Sequence, residues 1–578
     1  MEFRIQMKNQ RFRWVCILTG LITLTLGLGA QNDDVVSLGR EEIDLYNVTT
    51  VQDLLNRLPG IYASESTVKI RGSSAVKVLV DGKPINDPLS SLSAIKWGLV
   101  SYASIESIHI YKGSGAAMFG EGTDGGAIVI TRKKGGSSSG SLLLQGGNLG
   151  TFGVELNHQA SLGDHSLHSS YEDSRTDGYR ENDDEHKYSL GLTDQIRLND
   201  HQSLSVSSSY SWEEEGSPGY PDYPRLHARQ ASEAFTSSLY YERGDGLKSN
   251  LFYRSFWSKS TNPDQDLNSE IESESVGNRT DFSIPLSNKR SLPLGISFES
   301  ARYKGTALSD EKEQTGAIFS SWMMKLVEEQ PLYLSLMGRF NWYSKFDEVF
   351  DPSAHLSFKP GKWKLFLATG KGHLAPPFLK RYQSTSIRIP NPNLGMEKTD
   401  KLETGLSYAF SEKLSFHTLF YTKTTTDRIT YVRLEEGMGQ YRNIGKANWL
   451  GLETTLSGAL SKSFRYSLTH SWMDARDKTH DLILAAAPKH RLQGEVEWRP
   501  TNRFKIVVSG KYYGRQYSRS DNTESVPSCS ILDARIEYQW RDAQCFLKIK
   551  NFLDTDSFDG GGMPRTPIAA TIGIKRNF

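Results

Sequence analysis

From about residue 135 onward, apolar and polar residues alternate with a period of two in runs of about ten, the pattern of half-buried strands. Phe152, Val154, Leu156, Ala160 and Leu162 share one face, while Glu155, Asn157, Gln159 and Ser161 share the other. The alternation recurs in Leu204-Val206-Tyr210-Trp212, in Leu332-Leu334-Leu336-Phe340-Trp342, and in Leu402-Leu406-Tyr408-Phe410 with Leu414-Phe416-Phe420. It recurs again in Leu492-Val496-Trp498 against Arg491, Gln493, Glu495 and Glu497. A soluble sandwich also alternates, but here many runs end in an aromatic. That arrangement suits strands that face lipid, with polar residues turned inward and aromatic girdles at the interfaces.

Short polar turns fall near Asp164, Asp200, Asp245, Asn288, Glu329, Gly361, Glu412, Lys462, Thr501 and Asp542. Consecutive turns lie 32 to 51 residues apart, room for two tilted strands of about 9 to 11 residues and one longer loop. Ten short turns with both ends of the barrel on one side predict eleven hairpins, hence 22 antiparallel strands over residues 135–578. The hairpin around Ser283 to Ser297 is the least marked, because Pro285 and Pro293 interrupt it. A barrel of that size has a lumen that needs filling.

Ahead of the strands the period changes. Val51, Leu54, Leu55 and Leu58 form an i, i+3, i+4, i+7 stripe that predicts a helix, with Thr50 and Asp53 as a capping box and Pro59-Gly60 as its end. Strand-like Thr67 to Gly72 leads to Val76-Lys77-Val78-Leu79-Val80. There follow Asp81-Gly82, a dipeptide suited to the positive φ angles of a tight hairpin turn, and Lys83-Pro84-Ile85. A second unit runs from Ile105 to Tyr111 through Lys112-Gly113, Phe119-Gly120 and Gly125-Gly126 to Thr131. So many glycines imply backbone that turns sharply or lies against another surface. A nucleotide loop is the rival reading, but no Gly-x-Gly-x-x-Gly opens onto a helical pattern and no Gly-Lys-Ser/Thr occurs here.

The segments Asp53 to Ile61, Ile70-Arg71-Gly72, Val80 to Ile85, and Ile105 through Gly113, Gly120, Gly125 and Gly126 to Thr131 together resemble the plug domain of TonB-dependent outer-membrane receptors. The resemblance implies an all-β transmembrane barrel of 22 antiparallel strands with an α+β plug at residues 51–134 inside its lumen. It implies active uptake of a scarce small-molecule ligand, powered by the TonB-ExbB-ExbD complex of the inner membrane. Arg71, Gly72, Asp81, Gly82, Gly113, Gly120, Gly125 and Gly126 are the residues that carry the plug motifs. In the same family context Asp34, Val35, Val36, Ser37 and Leu38, in the segment 31–50, resemble a TonB box that adds a strand to the energy-transducing protein. A disordered acidic linker is the alternative reading. Lys550 to Asp554, Leu374 to Pro377 with Asn391 to Leu394, and the terminal Phe578 resemble barrel motifs of the family.

Composition agrees. Lys and Arg total 68 against 67 Asp and Glu, so no nucleic-acid partner is implied, and the mean hydropathy of −0.49 argues against a helical membrane protein. Arg4, Lys8, Arg11 and Arg13 precede the apolar run Val15 to Leu28, which predicts a secretory signal over residues 1–30. Cys529 and Cys545 are expected to be unpaired. No His-Glu-x-x-His or close metal-ligand cluster occurs, so an enzyme is not expected.

If the short turns are periplasmic, the long loops are extracellular, and four are rich enough to bind ligand: Thr176 to Lys187, Glu213 to Gln230, Lys371 to Thr399 and Thr424 to Lys446. Tyr220, Tyr223, Arg225, Tyr431, Arg433, Tyr441 and Arg442 could stack on and ion-pair with a planar or anionic ligand. No cofactor is required, but Asp183, Asp184 and Glu185 are hard oxygen donors and make calcium the candidate metal. Cobalamin and a ferric siderophore are the leading ligands. Haem is less favoured, since no histidine lies between Pro376 and Asn393 and His373 sits just before. A surface binding component acting with a partner lipoprotein is the alternative role.

Overall fold

The protein is described by a computed structural model covering residues 35–578 apart from 47, 49, 65, 90–93, 134–136, 288–289, 307, 386–387, 412 and 434–437. The secretory segment 1–30, Asp33, Asp34 and the turn positions Asn288 and Glu412 lie outside the described residues.

Twenty-two long strands close into an antiparallel barrel from Ser139–Gly147 to Ala569–Asn577, whose first and last strands pair, with Phe578 N donating to Gly140 O at 2.9 Å. The turns at Asp164, Asp200, Asp245, Glu329, Gly361, Lys462, Thr501 and Asp542 all join adjacent strands as expected. Strands ending at Ser287 and Ser411 and resuming at Arg290 and Leu414 flank the other two turns. The prolines do not remove a hairpin: Ser283 pairs with Pro293, and a bulge between Pro285 and Ser287 absorbs the irregularity. The alternation sorts as predicted. Phe340, Trp342, Leu402, Leu492 and Trp498 point outward, while Ser335, Arg339 and Asn341 are buried toward the lumen. Trp322, Trp363, Phe410, Trp498, Trp540 and Phe578 are exposed near the short-turn end, where an interfacial girdle would sit.

The stretch Thr424 to Lys446 is mostly not a loop. Strands Leu414–Arg433 and Gly439–Ser461 run on as a long hairpin with Tyr431 opposite Tyr441. Its Thr, Ile, Tyr and Val side chains are strand formers, and pairing satisfies their backbone beyond the membrane.

Inside stands the plug. Its sheet has the order β1(Val35–Gly39), β6(Ile105–Lys112), β7(Gly126–Arg132), β4(Val76–Val80), β5(Lys83–Pro84), with β2(Ile61–Ala63) and β3(Val68–Ile70) as a separate pair. β4 and β7 run parallel and the other neighbours antiparallel. The plug therefore begins before residue 51: β1 and α1(Arg40–Tyr46) belong to it, and Leu38 and Ile43 lie in its apolar core. α2(Val51–Leu55) is shorter than the stripe implied, because Asn56 turns away and clasps both backbone groups of Ala63. Thr50 Oγ1 accepts from Asp53 N at 3.1 Å as expected, but the Asp53 carboxylate does not close the box and instead accepts from Lys548 of the wall.

Cys529 and Cys545 are free. Cys545 pairs with Tyr538, nine residues from Cys529 along its strand, which places the thiols about 30 Å apart, beyond any disulfide. Both are expected to take a maleimide label after unfolding without reductant; a protected pair would contradict this placement.

Candidate functional site

The plug motifs mark where its backbone touches the wall. Arg71 adopts φ +50° and is buried against two wall carboxylates, Glu403 at 2.5 Å and Glu453 at 3.6 Å, with its guanidinium 5.2 Å from the Tyr421 ring. Gly60 and Gly113 have positive φ, and a Cβ at either would lie 2.2 Å from Glu453 Oε1 or 1.9 Å from Glu403 Oε2. Only glycine lets the chain pass so close to these carboxylates. A Cβ on Gly72 would meet the Met473 side chain at 3.0 Å, and one on Gly120 would meet Arg339 at 3.2 Å. Gly125 and Gly126 serve the plug itself, where a Cβ would strike Ser73 O or Tyr111 O. Asp81 and Gly82, at φ +49° and +83°, make the predicted turn.

Other ion pairs spread around the plug. Lys423 Nζ donates to Asp124 Oδ2 at 2.7 Å. Lys401 Nζ donates to Thr123 O at 3.0 Å. Burial raises the Asp124 carboxyl, but Lys423 and Lys401 outweigh it and hold the group below its usual range. Asp53 behaves alike: burial acts upward, and Lys548 and Lys550 prevail, keeping it well below the carboxylate range. Within the plug Asp81 takes Arg132 at 2.6 Å. Lys83, 2% exposed, donates to Thr236 Oγ1 at 3.0 Å, and burial pushes it down to about 7. Sequence reading missed Glu403, Glu453, Lys423 and Lys548. Their one signal was charge on the inward positions of alternating strands.

At the long-loop end, residues 375–385 and 388–396 fold inward. Phe378 stacks on Tyr303 at 4.2 Å and joins the plug's apolar core. Arg381, 2% exposed, pairs with Glu313 at 2.5 Å. His373 is also buried, between Asp351 at 2.8 Å and the Tyr343 hydroxyl, and is not available as a haem ligand. The predicted ligand residues fall into two groups. Tyr220, Tyr223 and Arg225 are exposed between the fifth and sixth strands, and Tyr431, Arg433, Tyr441 and Arg442 lie on the hairpin of the fifteenth and sixteenth. In a closed barrel these are nearly diametrically opposed, so they do not converge. Tyr441 already holds the inward loop through Lys380 and Arg388, at 5.3 and 5.2 Å. Long connections at 478–489, 514–528 and 551–568 were not singled out and flank the same end.

The acidic loop pairs with cations. Asp184 receives both Arg229 guanidinium nitrogens, at 2.6 and 2.9 Å, and that hydrogen bonding lowers its pKa. Glu185 takes Lys187 at 2.9 Å, and Asp183 accepts from Tyr179 N. Among the described residues no group of three His, Cys, Asp or Glu is placed to hold a metal. Val35 to Leu38, expected as an extended coupling segment, form β1, hydrogen-bonded along one edge to β6, with Ser37 Oγ 3.0 Å from His109 Nδ1. A cavity of about 1120 Å³ opens at the short-turn end, lined by Asp164, Asp200 and His201 of the turns and by Arg132 and Thr131 of β7. A smaller crevice lies between α2 and the last strands.

Glu403→Gln removes the carboxylate 2.5 Å from Arg71 and should weaken plug docking by about 3 kcal/mol, read as faster hydrogen exchange in β3 and β6. Unchanged protection would show that the pair holds nothing. Lys83 is lowered in the folded state, so the unfolded chain binds more protons between about pH 7 and 10 and stability rises with pH across that window. Lys83→Met should flatten that rise in plug unfolding measured from pH 6.5 to 9.5; an unaltered slope would contradict the burial of a titrating lysine.

Residues 136–552 match the family described as TonB dependent receptor-like, beta-barrel, and residues 30–127 match the TonB-dependent receptor plug domain. The vitamin B12 transporter of Photobacterium profundum is 22% identical over 555 residues, covering 89% of this chain and 88% of that one. That of Vibrio vulnificus is 24% identical, covering 89% and 87%. Among solved structures, the siderophore receptor PirA of Acinetobacter baumannii superposes with a TM-score of 0.80 at 16% identity, covering 95% of this chain and 99% of that one. A mutant of the ferric enterobactin receptor PfeA of Pseudomonas aeruginosa gives 0.79 at 15%, with the same coverage, a likeness of fold alone. With the barrel match spanning most of its length and the plug match preceding it, the chain belongs to the TonB-dependent receptor family of the outer membrane.

Proposed function

We propose that this receptor imports cobalamin or a closely related corrinoid across the outer membrane, with force delivered through the TonB-ExbB-ExbD complex. The observation that carries the transport reading is a wide lumen filled by a separate body, seated on the wall by ion pairs and hydrogen bonds beside apolar patches at Phe256, Tyr303 and Phe319. Cobalamin is favoured by end-to-end alignment with two vitamin B12 transporters. A ferric siderophore is the second reading, favoured by basic groups with unused donors between plug and wall. A surface binder that hands its ligand to a lipoprotein would need no force on the plug.

The sheet supports one coupling path. β6 runs from the short-turn cavity, where Glu106 lies, to Lys112 beside the Glu403 cluster, and β1 runs back against it from Val35 opposite Tyr111 to Gly39 opposite Ser107. A pull toward the short-turn side, applied ahead of Val35, peels these pairs one at a time. Ligand bound outside shifts the plug toward that release.

The test locks the strand. In a Cys529→Ser, Cys545→Ser background, Ser37→Cys with His109→Cys should form a cross-strand disulfide. The oxidised cells should bind labelled cobalamin but fail to import it, and reductant should restore protonophore-sensitive uptake. Import with the disulfide intact would remove β1 release from the mechanism. Absence of cobalamin binding alongside uptake of a ferric catecholate would move the ligand to the second reading.

A further inference from the structure

Beside α2, the wall strands His490–Thr501, Phe504–Tyr513, Cys529–Trp540 and Ala543–Lys550 leave an open crevice of about 250 Å³. Its cations are Arg57, Lys511, Arg535, Lys548, Lys550 and Arg565; its anions are only Asp53, Glu495 and Asp533. The register makes the excess costly. Arg535 stands directly opposite Lys548 on neighbouring strands, and like charges so placed destabilise a sheet. The plug supplies one counter-charge, the Asp53 carboxylate on Lys548. Glu495 is taken by Arg57 at 3.3 Å, and Asp533 accepts from Asn551 N at 2.9 Å.

Two basic groups keep donors without an acceptor. Arg535 is 5% exposed; its Nε donates to Glu537 at 2.6 Å, but its Nη1 is buried with no hydrogen-bond partner. Among the described residues Lys511, on the adjacent strand, donates no hydrogen bond. A buried guanidinium nitrogen without an acceptor has lost its water and gained nothing in exchange. Such a cost is offset when an acceptor arrives.

We propose that this crevice is an oxyanion site that takes a phosphate, carboxylate or catecholate oxygen of the transported ligand between plug and wall, with Asp53 as the resident counter-ion it displaces. The crevice faces the lumen, so lipid headgroups are not its source. Arg565, its guanidinium 5.0 Å from the Tyr513 ring, and Tyr62 mark its outer end. Anion binding stands independently of the transport reading; only the source of the anion rests on it.

Labelled inorganic phosphate is titrated against the full chain in detergent at low salt. Lys511→Gln with Arg535→Gln should weaken phosphate binding about tenfold or more, and Asp53→Asn, which removes the competing carboxylate, should tighten it about threefold. Lys511→Gln alone, which leaves no orphaned partner, guards against misfolding and should lose part of the affinity. Equal affinity in all four proteins would overturn the site. Displacement of phosphate by cobalamin but not by cobinamide assigns the corrinoid phosphodiester, and displacement by a ferric catecholate assigns the chelate; displacement by neither overturns the ligand role. If the basic variants lose phosphate yet import at the normal rate, the inference fails and the transport reading survives. If the unaltered protein imports nothing, the transport reading fails while phosphate binding still stands.

Discussion

The buried contact of Arg71 with Glu403 and Glu453 is the constraint around which the plug is arranged. A guanidinium and two carboxylates taken out of water hold together only with close geometry, since desolvation opposes the pairing and each group is costly once its partner leaves. The close geometry requires backbone to pass where a side chain would collide, which is why Gly60 and Gly113 stand beside the two carboxylates. Around this contact the seat is mixed: discrete charge pairs stand beside apolar contacts of the plug with Phe256, Tyr303 and Phe319 of the wall.

Apolar and charged contacts therefore coexist. Within the plug, Ile61, Ile70, Ile108, Ile110 and Ile128 are fully buried and hold its sheet together. Between plug and wall, Lys423, Lys401, Lys548 and Arg71 meet Asp124, Asp53 and Glu403. β1 forms an edge of the plug sheet, while the long-loop end is covered by the inward segment that Phe378 and Arg381 hold down.

The barrel was legible because period-two alternation and polar turns are local signals; eight of the ten turns fall among the described residues and join the strands they were expected to join. The plug motifs were legible because glycine at a positive φ or a close approach leaves a mark in the chain itself. The site was much less so. Glu403 lies 332 residues from Arg71, and nothing near either residue announces the other. Tyr441 read as a ligand contact because aromatic and basic residues cluster there, yet its ring holds Lys380 and Arg388 of the inward loop. Val35 to Leu38 read as an extended coupling segment since four residues carry too little pattern to reveal a strand whose partner lies at residues 108–111.

The most direct measurement is conductance in planar bilayers of the full chain and of the chain lacking residues 31–134. A nearly silent full-length protein and a large, steady conductance from the truncated barrel are expected. A truncated barrel that folds and inserts but stays closed would contradict the claim that the plug, and not the wall or its loops, seals the lumen.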